Sequence, residues 1–511
     1  MNAARGDPST ALSLRSGLRL RAGAGARVAG VARAIALGLA TAVAFSLAST
    51  GALVAGGAST SPLHAVYLPL LLKPAYVYLP IVLKTPRPNF LLIITDDQRF
   101  DTIDYMPITK AEIFDKGITF RHAFATTPLC CPSRASILTG RYARHTHVYD
   151  NGSPLEEPTF VDRLHQAGYY TGIVGKYLNS WDGSYRPEFD SWTVFAGPGA
   201  SQKYFDPRLN INGVWIQHYG YMTHILQGYA LDFLNAARQR NQPWMLIFAP
   251  NAPHAPAHPA PGDEGLYLGT PLFWPPSFWE ADISDKPFWL RHHFIPLDPA
   301  YFDGFRRKQM QTLHSLDLAI GAVLDKLAEY RLDRSTVVIF ISDNGVFWGE
   351  HRLNDKIYAY DEAARVPFAI RYSPRIPQPV VDTRLVANVD LAPAVYELAG
   401  IPLPPDLDGR SPLPPAPGQW RDAILIEGWA GYHPYQALRT DRYLYVETTD
   451  DIDELYDLAF DPYQLENQIY NPGYAPVVEE LHSRLAAFPR VIPPPGSQIL
   501  SRLMSVLRLD D

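Results

Sequence analysis

The chain has 511 residues, 47% of them hydrophobic and 19% charged, which suits one large domain with a smaller one attached. Its net charge of −7 is uneven, because Arg5, Arg15, Arg19, Arg21, Arg27 and Arg33 stand against the single early acid Asp7 and leave the remainder acidic. That balance excludes general nucleic-acid binding, and a polyanionic ligand would need a local basic pocket.

The basic start runs into an uncharged stretch at 34–60, rich in Ala, Leu, Val and Gly and ending in small residues. Residues 1–60 are expected to be an export signal, which would make the protein secreted, periplasmic or cell-surface; a retained membrane anchor is the alternative. Residues 61–86 carry a repeat, Val66-Tyr-Leu-Pro-Leu-Leu-Leu-Lys73 and Val77-Tyr-Leu-Pro-Ile-Val-Leu-Lys84. Pro69 and Pro80 argue against a long helix, so an apolar linker able to contact the domain or a membrane surface is expected.

Four runs downstream read as strands buried on both faces of a parallel sheet: 89–95, 169–174, 244–249 and 335–342. Each ends in chemistry: Asp96-Asp97, Gly175-Lys176, Asn251-Ala-Pro-His254 and Asp343-Asn344-Gly345, respectively. Helix-like segments at 159–168, 224–240 and 309–330 alternate with them, so an α/β sandwich is predicted. Ligands of open parallel sheets bind beyond the carboxyl ends of the strands, where these residues fall. Asp96, Asp97, Asp343 and Asn344 are hard oxygen donors, a set that suits Ca²⁺ or Mg²⁺ better than Zn²⁺. Asp317, on the apolar face of the third helix, reads as a structural carboxylate.

The two cysteines, Cys130 and Cys131, are neighbours. Adjacent Cα atoms sit about 3.8 Å apart, short of the roughly 4.4 Å a disulfide needs, so they are not a staple. Pro132 suits the first turn of a helix and Gly140 the residue past its last, which puts Cys130 at a helix N-terminus that attracts anions. Arg134 lies within that first turn and can orient a charged group.

Cys130-Cys131-Pro132-Ser133-Arg134 with Thr139-Gly140-Arg141 resembles the signature of the formylglycine-dependent sulfatases. Asp96-Asp97, Ser342-Asp-Asn-Gly345, Gly175-Lys176, Ala252-Pro-His254 and Gly349-Glu-His-Arg-Leu353 with Asp355-Lys356 resemble further segments of that family, from about residue 88 to 472. Gly175-Lys-Tyr-Leu-Asn179 and the double cysteine are similar to the N-acetylglucosamine-6-sulfatase and heparan endosulfatase branch. Two positions depart from the wider family: Leu178 stands where many members have histidine, and Thr146 stands between His145 and His147 where one histidine is usual.

The resemblance implies an alkaline-phosphatase-like α/β sandwich with a central, mostly parallel sheet over 87–415 and a small C-terminal α+β subdomain over 416–511. It implies that a formylglycine-generating enzyme converts Cys130 to formylglycine, whose hydrate attacks sulfur beside one divalent cation, Ca²⁺ before Mg²⁺. Asp96, Asp97, Cys130, Asp343 and Asn344 would hold the metal. Lys176 and Lys356 would bind the sulfonyl oxygens, Arg134 would orient the site, and His254 would protonate the leaving oxygen. The implied substrate is a sulfated carbohydrate of the N-acetylglucosamine-6-sulfate type. Tyr177, Trp181 and the aromatic insert around Phe273, Trp274, Phe278 and Trp279 either stack on sugar or simply pack. The rivals are an arylsulfatase, a phosphodiesterase or phosphonate hydrolase of the same superfamily, and an inactive sulfatase-like binding protein.

Overall fold

The computed structural model describes residues 87–493, except 180, 198, 294, 296–297, 415–417 and 432, together with the backbone of 65–72 and 75–82. The basic start and the uncharged stretch lie outside the described residues. Within the repeat, β1 (Ala65–Leu72) and β2 (Ala75–Val82) pair antiparallel, with Pro69 opposite Tyr78 and Pro80 opposite Tyr67. A two-stranded ribbon has only edge strands, where a residue lacking an N–H is tolerated. This hairpin forms a unit by itself, and residues from Thr85 on form another.

The larger unit is built on a ten-stranded sheet. Its strands are β3 (Asn89–Thr95), β4 (Ile118–Phe124), β5 (Tyr170–Lys176), β6 (Ser191–Phe195), β7 (Arg208–Ile211), β8 (Val214–Gln217), β9 (Trp244–Ala249), β10 (Thr336–Ser342), β11 (Phe368–Arg371) and β12 (Val380–Ala387). The order is β12-β4-β11-β10-β3-β9-β5-β6-β7-β8. The neighbours β10, β3, β9, β5 and β6 run parallel, and antiparallel pairs occur toward both edges. The four apolar runs of the sequence are the adjacent strands β10-β3-β9-β5, and every residue of each is buried.

Strand alternation divides the apolar side chains between two cores. Phe90, Leu92, Ile94, Ile339 and Ile247 face one, and Leu91, Ile93, Phe340 and Leu246 face the other. On the first face lie α1 (Cys130–Thr139), α2 (Phe160–Gln166) and α5 (Leu391–Ala399); on the second lie α3 (Met222–Arg238) and α4 (Pro299–Glu329). The chain is therefore the α/β sandwich expected. Helix α4 begins ten residues earlier than its apolar spacing suggests, because Asp298 caps the Ala300 and Tyr301 amides and Pro299 fits the first turn.

A second, antiparallel sheet contains β13 (Ala423–Gly428), β14 (Tyr435–Thr440), β15 (Tyr443–Thr448) and β16 (Glu454–Asp457), with α6 (Ala475–Leu485) against it. Lys286, from the aromatic insert, is fully buried and donates to Tyr456 Oη (3.1 Å), the Gln464 carbonyl (2.8 Å) and the Leu465 carbonyl (2.6 Å). Glu280 of the same insert lies 3.4 Å from Lys286 Nζ and 2.8 Å from His351 Nδ1. The second sheet, the insert and the loop leading to Lys356 are thus tied by one buried polar network.

Asp317 is the structural carboxylate its position implied: its two oxygens accept the Ile108 amide at 2.9 Å and the Thr109 amide at 2.7 Å. Asp317→Ala would strand two amides under α4, and an equilibrium denaturation curve should show a loss of about 2 kcal/mol.

Candidate active site

The parallel strands deliver their polar ends to one edge of the sheet. In β3 and β10, Thr95 and Ser342 are register partners, so Asp96-Asp97 and Asp343-Asn344 emerge side by side. Lys176 is the last residue of β5, and His254 lies on the loop after β9. Helix α1 opens at Cys130 and closes at Gly140 in the left-handed conformation (φ 75°), as the sequence suggested. The nine candidate residues Asp96, Asp97, Cys130, Arg134, Lys176, His254, Asp343, Asn344 and Lys356 are all buried.

Their contacts form one cluster. Cys130 Sγ lies 3.6 Å from Asp96 Oδ1, 4.0 Å from Asp97 Oδ1 and 3.3 Å from Lys356 Nζ. Lys176 Nζ donates to both oxygens of Asp96 at 2.8 and 2.7 Å, and Lys356 Nζ donates to Asp97. Arg134 Nε pairs with Asp343 Oδ2 at 2.8 Å, while Arg134 Nη1 donates to the Lys176 carbonyl at 3.0 Å. Asp343 Oδ1 accepts the Asp97 and Asn344 amides at 3.1 and 2.9 Å. His254 Nε2 lies 3.6 Å from Asp97 Oδ2, and its Nδ1 is 2.6 Å from the Ala255 carbonyl, so Nδ1 carries the proton.

Burial alone would raise the carboxylates. Lys176, His254 and Arg134 outweigh it at Asp96, and Lys356 and His254 do so at Asp97, so both stay below the usual carboxylate range. Burial alone would lower Lys176 and Lys356, but Asp96 and Asp97 hold them above the ordinary lysine value. For Cys130 burial prevails, and its thiol is pushed up to about 12. An unmodified Cys130 would therefore be a protonated thiol at neutral pH and a poor nucleophile.

Several supports were not singled out in the sequence. Asn388 Nδ2 donates to Ser133 Oγ at 2.9 Å, and Ser133 Oγ donates to the Asp343 carbonyl, which joins α1 to the end of β10. Arg99 pairs with Glu350 (2.9 Å) and Asp101 (2.9 Å) and donates to the Val346 carbonyl (3.2 Å), clamping the loops after β3 and β10. Its sequence signal was an arginine two positions after the paired aspartates. Ile357 takes φ 81°, strained for a β-branched residue, immediately after Lys356. Its backbone is held by Pro128 and by Tyr435 Oη.

Other sequence candidates take different places. His145 pairs with Asp408 at 2.7 Å and His147 Nδ1 lies 3.0 Å from Tyr149 Oη. Tyr177 is a core residue packed on Trp181, Phe189 and Trp192. Trp274 packs on Phe278, Phe278 fills the space beside Gly349, and Phe273 is exposed.

Residues 88–401 match the family model described as Sulfatase, and residues 349–490 match N-sulphoglucosamine sulphohydrolase, C-terminal. The chain belongs to the sulfatase family. It is 34% identical over 369 residues to an extracellular sulfatase SULF-1 homolog of Drosophila melanogaster, covering 67% of this chain but only 33% of that relative. It is 32% identical over 376 residues to the N-acetylglucosamine-6-sulfatase of Homo sapiens, covering 67% of each. A solved structure, of BT4656 in complex with its substrate D-glucosamine-2-N,6-O-disulfate, superposes with a TM-score of 0.72 at 26% identity over 78% of this chain and 97% of that one.

Sulfatases use a metal ion and a formylglycine, and the residues present fit both. Ligand atoms of Asp96, Asp97, Cys130 and His254 lie within 4.8 Å of one another. Asn344 Nδ2 donates to Asp97 Oδ1 at 2.8 Å, while the buried Asn344 Oδ1 has no donor among the described residues. Carboxylates plus an amide oxygen are the donors of a hard cation. His254, absent from the donor set read in the sequence, thus stands beside it.

Gly175 fixes how closely β5 approaches β9. At φ 121°, a side chain there would put its Cβ 2.0 Å from the Ala249 carbonyl oxygen. Gly175→Ala should therefore separate the strands and displace Lys176, lowering kcat by at least roughly tenfold in steady-state assays.

Proposed function

We propose that this sulfatase hydrolyses sulfate esters on carbohydrate, of the N-acetylglucosamine-6-sulfate type, after export to the periplasm, cell surface or medium. A formylglycine-generating enzyme would act on Cys130 during maturation, and Ca²⁺ would be the cation, held by Asp96, Asp97, Asp343, Asn344 and the modified Cys130. The catalytic domain would span 87–415 and the C-terminal subdomain 416–511. The observation that carries the reading is the buried Cys130 sulfur at the mouth of α1, 3.3 Å from Lys356 Nζ and beside two carboxylates.

As formylglycine beside the cation, position 130 would supply a hydrated aldehyde as the nucleophile toward sulfur. The chain's own residues do the rest. Asp96, Asp97 and Asp343 are matched by Lys176, Lys356 and Arg134, so the cluster is close to neutral before the cation and positive with it. That field favours an anionic ester and opposes none of the charge that develops on its sulfonyl oxygens. Lys176 and Lys356 would hold those oxygens. His254, with Nδ1–H spent on the Ala255 carbonyl, presents Nε2 for the proton that goes to the leaving alcohol.

Two measurements test this. Values of kcat/KM for N-acetylglucosamine-6-sulfate, galactose sulfates and nitrophenyl sulfate should rank the amino sugar first, with Cys130→Ala inactive on all three. A clear preference for the aryl ester would remove the carbohydrate assignment. Exhaustive chelation should abolish turnover and Ca²⁺ should restore it. Full activity with two zinc ions per chain would favour the phosphodiesterase reading.

A further inference from the structure

Beyond β6 the same edge of the sheet holds a cleft of about 240 Å³ that the chemistry above does not use. Phe195, Pro207 and Met222 supply apolar wall, and Lys203, Arg208 and Trp215 supply two cations and an aromatic ring. Its place is set by the register: Phe195 is the parallel partner of Lys176. Those two backbones are one strand spacing apart, about 4.8 Å. The loop bearing Lys203 is fastened to the catalytic loop, because Asn251 Nδ2 donates to the Ser201 and Lys203 carbonyls at 3.0 Å each. Tyr204 Oη donates to the His254 carbonyl at 2.7 Å.

Among the described residues, the charges in the cleft have no carboxylate partner. Lys203 and Arg208 are exposed, and among the described residues neither forms an ion pair. Arg208 lies over the Trp215 ring at 5.3 Å. Asp206, the nearest acid in sequence, gives its carboxylate to the Gly220 amide at 2.7 Å. In a chain of net charge −7, two free cations flanking an aromatic surface beside a sulfate-ester site are a local basic pocket. Cations that bind oxyanions and rings that pack on sugar faces recognise one class of ligand together.

We propose that this cleft is a subsite for a neighbouring anionic saccharide residue, sulfated or carboxylated, of the chain whose ester the active site cleaves. Lys203 and Arg208 pair with its anion and Trp215 packs on its ring. The assignment rests on the carbohydrate reading above and extends the substrate from a monosaccharide to an acidic oligosaccharide.

The test is calorimetric binding of a heparin-derived tetrasaccharide to the full chain and to the Lys203→Glu/Arg208→Glu double variant, with Lys203→Gln/Arg208→Gln as a second pair. The wild type should bind, the reversed pair should bind roughly tenfold more weakly, and the neutral pair should fall between. The difference should shrink at about 0.5 M salt, where screening reaches within a few Å. The ratio of tetrasaccharide to monosaccharide kcat/KM should fall in parallel. Equal binding by wild type and variants, or no binding by wild type, overturns the subsite. Monosaccharide turnover by the wild type reports separately on the carbohydrate reading: cleavage of aryl esters alone overturns that reading and the subsite with it, whereas sugar turnover with binding independent of Lys203 and Arg208 overturns the subsite alone.

Discussion

Three carboxylates buried at the carboxyl edge of a parallel sheet make the central demand of this molecule. Asp96, Asp97 and Asp343 are each shielded from water, and a buried charge without a partner costs several kcal/mol. The fold meets that demand with cations from three separate places: Lys176 from β5, Lys356 from the loop after β10, and Arg134 from α1. Each cation is buried too and depends equally on its acid. None of these elements can shift without exposing a charge to an apolar interior, so electrostatics fixes the spacing of β3, β5, β10 and α1 as firmly as packing does.

The same constraint explains why position 130, the proposed nucleophile, is so enclosed. The Cys130 sulfur sits buried among acids and lysines, and burial outweighs the two ammonium groups in setting its proton affinity. A thiol of that kind is chemically quiet. Under the proposed reading, reactivity would come from covalent modification of Cys130, and selectivity between the adjacent cysteines would follow from position. Cys131 Sγ instead accepts the Asn179 amide at 3.0 Å, and its side chain belongs to the apolar core.

The central strands were legible because double-sided burial leaves a continuous apolar run, and the polar residues after each run are the ones the sheet brings together. The edges were less readable. Strand β4 mixes buried and exposed positions, and the start of α4 lacks a periodic apolar face although Asp298-Pro299 marks it. The repeat was read as a linker because its prolines argue against a helix, and a two-stranded ribbon satisfies the same objection. What no spacing could reveal are contacts between distant segments, such as Asn388 on Ser133 or Arg99 on Glu350. Those depend on which loops the topology places side by side.

Lys286 has a consequence for how the two sheets relate as parts of one protein. Its ammonium bonds to groups of the second sheet and the loop after it, and its neighbour Glu280 reaches His351 in the segment that carries Lys356. Glu280 is raised to about 7 by burial, only partly offset by Lys286, and His351 is lowered to about 3 by burial and that same lysine. Three ionisable groups therefore share one water-poor compartment that straddles the boundary between sandwich and second sheet. The second sheet is thus not an interchangeable module: grafting one from another chain would orphan an amine inside the host, so the two parts are free to diverge only together.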